Sequence, residues 1–264
     1  MLDQLRIYLM TTGMLPWLLG FLMLSLLVWG RHIGVTAHAR HGEHQTKADE
    51  TMMGAIFGLL ALLIAFSFSG ASDRYDHRRE LIAKEVSTVG TAYASIDLLV
   101  ERDQPQLRED FRRMLDERID LYKDVIDQES YELRHDQFDK TRDKLWADAV
   151  KSVKDTPFPQ KLVAAQILPE ISDMNDALDN QRLAMKMHPP RVIMLSLFVL
   201  ILIGAFVTGY NLGLADKQDW LLIFMFITLM AGSFFIIVNL EYPLVGFIGL
   251  NDFDAEILRL RQAM

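Results

Sequence analysis

Four stretches without a charged residue, Met14 to Gly30, Thr51 to Ser72, Val192 to Ala215 and Trp220 to Leu240, constrain this chain more than anything else in it, and a long, strongly polar segment separates the second from the third. Each is near the roughly 20 residues that a helix needs to cross a hydrocarbon core of about 30 Å. Backbone N–H and C=O groups cannot go unpaired in hydrocarbon, and none of the four alternates with period two, so helices are expected rather than barrel strands. The chain therefore reads as an all-α membrane protein with two transmembrane hairpins and one large insert. A hydrophobic fraction of 51% beside a charged fraction of 23% fits such segregation. Trp29-Gly30-Arg31-His32 stands where a signal peptide would carry its small-residue cleavage site, so the first span is expected to be a retained anchor. The absence of cysteine excludes disulfides, thiolate metal sites and cysteine nucleophiles. A formal net charge of -8 argues against a nucleic-acid partner.

With an even number of spans, both termini and the insert share one side of the bilayer. Near the membrane that side carries Arg6, Arg74, Arg78, Arg79, Lys84, Arg182, Lys186, Arg191, Arg259 and Arg261, against Arg31, Arg40, Lys47 and Lys217 on the other. The Lys and Arg excess marks the insert side of this multi-pass protein as cytoplasmic. Trp17, Trp29, Tyr210, Trp220 and Tyr242 fall near span ends, where amphipathic rings prefer the interface. The expected organisation is a first hairpin over 1–72, a cytoplasmic helical bundle over 73–190, a second hairpin over 191–241 and a cytoplasmic tail helix over 242–264. No glycine lies between Gly90 and Gly204, so the insert should consist of long helices. The second span is expected to continue through Asp73 to Ile96. Asp103 should cap a helix whose apolar positions Leu107, Phe111, Leu115, Ile119, Tyr122 and Ile126 repeat at three and four. Tyr131 to Val153 follows, with Leu133, Phe138, Leu145, Trp146 and Val150 as buried candidates. A helix from Gln160 to Met187, bent at Pro169, leads back to the membrane, and Asn251 or Asp252 should cap the tail helix that carries Ile257, Leu258 and Leu260 on one face.

No phosphate loop, H-E-x-x-H, G-x-S-x-G or CxxC occurs, so no enzyme and no cofactor are expected. His38, His41 and His44 are spaced to share a divalent metal with a nearby carboxylate, although a solvated loop explains them as well. Asp116, Glu117, Asp120, Asp124 and Asp127 alternate with Arg112, Arg113, Arg118 and Lys123, the pattern of a solvated helix face laced with weak ion pairs.

The second span is more specific. Gly54, Gly58, Ala61 and Ala65 form one stripe that permits close helix approach, whether within the chain or against another copy. On the other side lie Ile56, Leu60, Leu63, Ser67, Gly70 and Arg74, turning from apolar to polar toward the cytoplasm. Around a central axis such a face would make a hydrophobic constriction with an anion-attracting Arg74 beneath it; lipid-facing residues would read alike. The spans hold no charge, which counts against a proton-coupled carrier. A non-conducting sensor or scaffold that recruits a cytoplasmic partner through the large insert is the competing reading.

The run Phe66-Ser67-Phe68-Ser69-Gly70-Ala71-Ser72-Asp73-Arg74-Tyr75-Asp76-His77-Arg78-Arg79-Glu80-Leu81 resembles the end of the second span in bacterial bestrophins. Gly54-Ala55-Ile56-Phe57-Gly58-Leu59-Leu60, Glu85 to Tyr93, Leu107-Arg108 and Leu240-Glu241-Tyr242-Pro243-Leu244-Val245-Gly246 are similar to an uncharacterised bacterial bestrophin-like family, over most of the chain. The resemblance implies a bestrophin-like fold and a homo-oligomeric, chloride-permeable ion channel, pentameric as bestrophins are, whose partners are lipid, inorganic ions and copies of itself. It implies that the second span lines a neck, with Ile56, Leu60, Leu63, Leu59 and Phe66 as candidates. Tyr75-Asp76 stands where bestrophins commonly carry paired tryptophans, and no acidic calcium clasp is recognisable, so calcium control is not implied.

Overall fold

The computed structural model describes residues 14–41, 47–121, 128–215, 219–243 and 251–264. The described residues form helices α1 (Leu15–His41), α2 (Lys47–Ala94), a 3-10 turn (Ser95–Leu98), α3 (Gln104–Asp120), α4 (Gln128–Asp155), α5 (Gln160–Ala164), α6 (Ile167–Lys186), α7 (Arg191–Leu214), α8 (Trp220–Glu241) and α9 (Asn251–Ala263), and among them there is no strand. Four helices are long and apolar enough to cross a membrane. Two compact units divide the chain, one of residues 1–75 with 188–249 and the other of 76–187 with 250–264.

In the first unit α1 and α7 pack along a seam of glycines. A Cβ added at Gly30 would lie 2.3 Å from the Phe206 carbonyl oxygen, one at Gly34 2.1 Å from that of Tyr210, one at Gly209 1.9 Å from that of Leu27, and one at Gly213 2.3 Å from that of Arg31. No side chain fits there, so backbone meets backbone, the arrangement by which membrane helices associate without a hydrophobic drive. Trp29 and Phe206 close one side, their ring centroids 5.3 Å apart. Leu19, Met23, Leu197, Ile201, Phe234 and Ile237 fill the space among α1, α7 and α8. Asp219 caps α8, its carboxylate accepting from the Leu221 and Leu222 amides at 3.1 and 3.3 Å. α1 runs through His41, well past Gly30, so much of the segment expected as a polar loop is helical; His32 is exposed and His38 half-buried on it, while the His41 side chain and His44 lie outside the described residues.

The second unit is a helical bundle with Phe111, Met114, Leu145, Ile171, Met174 and Ala177 in its core. Several charged groups are buried with them. Arg118 donates to Glu85 through both ends of its fork at 2.6 and 2.9 Å. Arg78 satisfies the end of α6, donating to the carbonyls of Ala184 and Met187 at 3.2 and 2.9 Å. Buried Asp110 accepts from Lys144 Nζ at 2.8 and 2.7 Å, a contact that raises the lysine's pKa. The expectation of a wholly solvated charged face on α3 is thus corrected at Arg118. Asp103 does precede α3, but its carboxylate makes no cap; it accepts from Arg102 Nε at 3.0 Å and Ser152 Oγ at 2.7 Å, which hold it below the usual carboxylate range.

Other expectations shift as well. Leu133 and Trp146 are exposed, and His135, Thr141 and Ala149 take buried positions on α4 alongside Phe138 and Leu145. The break expected at Pro169 falls earlier, between α5 and α6, because Pro169 sits in the first turn of α6, where its missing N–H has no helical partner to lose. Tyr122 and Ile126, and the side chains of Asn251 and Asp252, lie outside the described residues. On α9 Ile257 is buried but Leu258 is exposed. That helix is held by Arg261 on Asp116 at 2.7 and 2.8 Å and by the Met264 backbone oxygen, which accepts from Tyr93 Oη at 2.9 Å and Arg112 Nε at 3.0 Å.

Candidate functional site

The apolar part of α2 differs from the other three spans. Only 6% of its most apolar window is buried within the chain, against 28% in each of the others. Its inner face is well defined: Leu60 is 1% exposed, and a Cβ on Gly204 of α7 would sit 3.3 Å from Leu60 and 3.5 Å from Phe57. The missing side chain at Gly204 makes the hole into which these two residues fit. Phe57 also meets Phe226 of α8 edge-on at 6.2 Å, and Ala71 is buried three turns further along.

Among the described residues the opposite face has no cover. Leu59, Leu62 and Phe66 are 49%, 51% and 69% exposed, and a Cβ at Gly54 or Gly58 would meet open space. At about 100° per residue, the outward centre runs through Ala55, Leu62 and Ser69, with Gly58, Leu59 and Phe66 beside it, all exposed. This centre falls between the two faces expected from sequence. Of the pore candidates, Leu59 and Phe66 lie on the outward face; Ile56, Leu63, Ser67, Gly70 and Arg74 are half-buried at its margin. Leu60 is the clear correction, because α7 has a gap for it in the chain's own core. The stripe of Gly54, Gly58, Ala61 and Ala65 is exposed throughout, and among the described residues a Cβ at Gly54 or Gly58 meets nothing within 4 Å.

Where the apolar part of α2 ends, a charged cluster joins three segments of the first unit. Arg74 Nε donates to Glu241 Oε2 at 2.9 Å, and Nη2 lies 2.8 Å from the same oxygen. The other carboxylate oxygen is 3.1 Å from His188 Nδ1, and the His188 ring lies over Tyr242 with centroids 4.6 Å apart. The Glu241 side chain is 1% exposed and that of Arg74 33%. Gly70 leaves room for the guanidinium, since a Cβ there would be 3.3 Å from Arg74 Nη1. From sequence, Glu241 enters only through the Leu240 to Gly246 run that carries the family resemblance. It ends α8, and its carboxylate is also the buried anchor of Arg74 and His188. A signal was present, for Glu241 is the sole acidic residue between Asp219 and Asp252.

Of the residues expected to share a metal, His38 is on α1, whereas the His41 side chain and His44 lie outside the described residues; among the described residues no group of three His, Asp or Glu could hold an ion.

No curated protein matches the chain. Solved structures do. A bacterial bestrophin homologue from Klebsiella pneumoniae carrying a tryptophan-to-alanine mutation superposes with a TM-score of 0.65 at 11% identity, over 94% of this chain and 98% of that one. An isoleucine-to-threonine mutant of the Klebsiella pneumoniae homologue gives 0.63 at 14% identity, over 92% and 99%. A structure of the homologue obtained by zinc phasing gives 0.59 at 13%, over 92% and 98%. At such identities the likeness is one of fold. In sequence, the profile of the Bestrophin-like domain matches residues 20–252, and the chain therefore belongs to the Bestrophin-like domain family.

Proposed function

We propose that the protein is an inorganic-ion channel of the bacterial inner membrane, a homo-oligomer in which copies of α2 surround a central axis. The uncovered outward face of α2 carries this reading. In a closed ring each helix has its back on its own bundle, two flanks toward neighbouring copies and one face toward the axis. α2 has such a back in Leu60 and Ala71, a small flank in Gly54, Ala61 and Ala65 that suits close approach, and a second flank in Ile56 and Leu63. The remaining face, with Leu59, Leu62 and Phe66, makes an apolar neck that gates by dewetting, and Ser69 continues it. The bestrophin pentamer supplies the stoichiometry. Both termini and the 73–190 insert are assigned to the cytoplasm, with hairpins over 1–72 and 191–241 and a tail over 242–264. The anion preference that Arg74 alone would confer is offset by its pairing with Glu241.

Planar-bilayer recording under a potassium chloride gradient tests the channel. Because the chain has no cysteine, Leu62→Cys and Phe66→Cys give single labelling sites. A charged thiol reagent should block both variants and leave Leu60→Cys conducting. Silence from an intact oligomer at all voltages would overturn the proposal in favour of a non-conducting sensor or scaffold.

A further inference from the structure

Arg74 and Glu241 form an unequal pair. The carboxylate is fully enclosed, whereas a third of the arginine side chain is open to its surroundings. The positive partner is thus the one that reaches the surface, at the margin of the outward face on the flank that carries Ile56, and the negative partner is hidden behind it. Glu241 is held on both oxygens, by Arg74 on one and His188 on the other, and Gly70 lets the guanidinium fold back along α2 to reach it. The arrangement fixes a balancing charge 2.8 Å from the exposed cation without presenting a carboxylate to solvent.

Resting on the channel reading above, we infer that Glu241 is a selectivity-setting residue: by neutralising Arg74 at the cytoplasmic end of the neck, it keeps a ring of arginines from making the channel anion-selective. Rings of charged side chains are a general source of selectivity, and in a homo-oligomer any imbalance recurs once per subunit at the same level. Glu241 does this through Arg74 and touches no permeating ion.

The test is the reversal potential of the reconstituted oligomer in a potassium chloride gradient. Glu241→Gln keeps the shape and the contact with His188 while removing the charge. It should raise the chloride-to-potassium permeability ratio roughly threefold to tenfold, an effect that shrinks as salt rises. Arg74→Gln should shift the ratio the other way, and the double variant Arg74→Gln/Glu241→Gln should return to the wild-type value, a rescue that a purely structural contact would not give. If Glu241→Gln does not assemble, Arg74→Gln and the double variant decide the matter by the same criterion. A conducting wild type whose reversal potential ignores these substitutions, or a double variant that keeps a single variant's shift, overturns the inference and leaves the channel standing. A silent wild-type oligomer overturns both.

Discussion

Gly209→Ala is the sharpest test of the packing in the first unit. The new methyl would lie 1.9 Å from the Leu27 carbonyl oxygen, 2.7 Å from its carbon and 2.8 Å from the Leu27 Cα, all backbone atoms that no rotamer change can move. An ordinary C···O contact is about 3.3–3.6 Å, so α1 and α7 must separate locally by about 1.5 Å. That displacement loosens the approaches at Gly30, Gly34 and Gly213 and the Trp29–Phe206 contact together. Overpacking costs about 1–3 kcal/mol, and each weakened Cα–H···O contact adds about 0.5–1 kcal/mol, for a loss of about 2–4 kcal/mol. At about 2–4 °C per kcal/mol for a chain of this size, the midpoint of thermal unfolding in detergent should fall by about 4–16 °C. Tryptophan fluorescence is a suitable readout because Trp29 borders the seam. Gly232→Ala is the control, since a Cβ there meets nothing within 4 Å. If Gly209→Ala melts with the wild type, the backbone-to-backbone seam is not what joins these helices.

In the bundle, burial, reinforced by the charges of Arg182, Lys186 and Arg118, pushes the His135 pKa down to about 4, with Asp139 opposing. The unfolded chain therefore binds the proton first as pH falls below about 6.5, so this group's share of stability, up to about 3 kcal/mol, is lost between pH 6.5 and 4; His135→Leu should flatten that part of the pH–stability curve, and an unaltered slope would refute the assignment. Glu85→Gln strands Arg118 in the core and should cost about 3–5 kcal/mol in denaturant titration, whereas replacing both residues by apolar ones of similar volume should cost far less. On α9, Ile257→Ala should cost about 2–5 kcal/mol and free the tail to proteolysis, while Arg261→Ala, which removes an exposed ion pair, should cost about 1 kcal/mol or less. Phe66→Ala should widen an apolar neck and increase leak in bilayer recordings; wild-type conductance would remove Phe66 from it.

The four spans were legible because hydrocarbon admits few solutions: a long uncharged run has to be a helix there. The faces of α2 were not, because large apolar residues suit a core, a lipid surface and a neck equally well, and only the hole at Gly204 assigns Leu60 to the core. Close helix approach was expected at Gly54 and Gly58, within the chain or against another copy; within the chain, the same spacing at Gly30 and Gly34, and at Gly209 and Gly213, is where backbones meet. Spacing identifies helices able to approach closely and leaves open which partners exist. Buried charge was hidden for a related reason. Arg118 sits among i,i+4 ion pairs typical of a solvated face, and its partner Glu85 lies on a different helix. Glu241, by contrast, is a lone carboxylate between Asp219 and Asp252, and what the sequence lacked was the distance to Arg74.

The glycine seam also orders events during biogenesis. Gly209 is made about 180 residues after Gly30, so at a synthesis rate of about 5–20 residues per second α1 waits about 10–35 s in the bilayer before α7 exists. Throughout that interval its bare backbone stripe is open to any other small-residue surface nearby, and the outward glycines of α2 are the first such surface to emerge. Faster release of the second hairpin is therefore expected to raise the share of newly made chain that reaches the correct pairing.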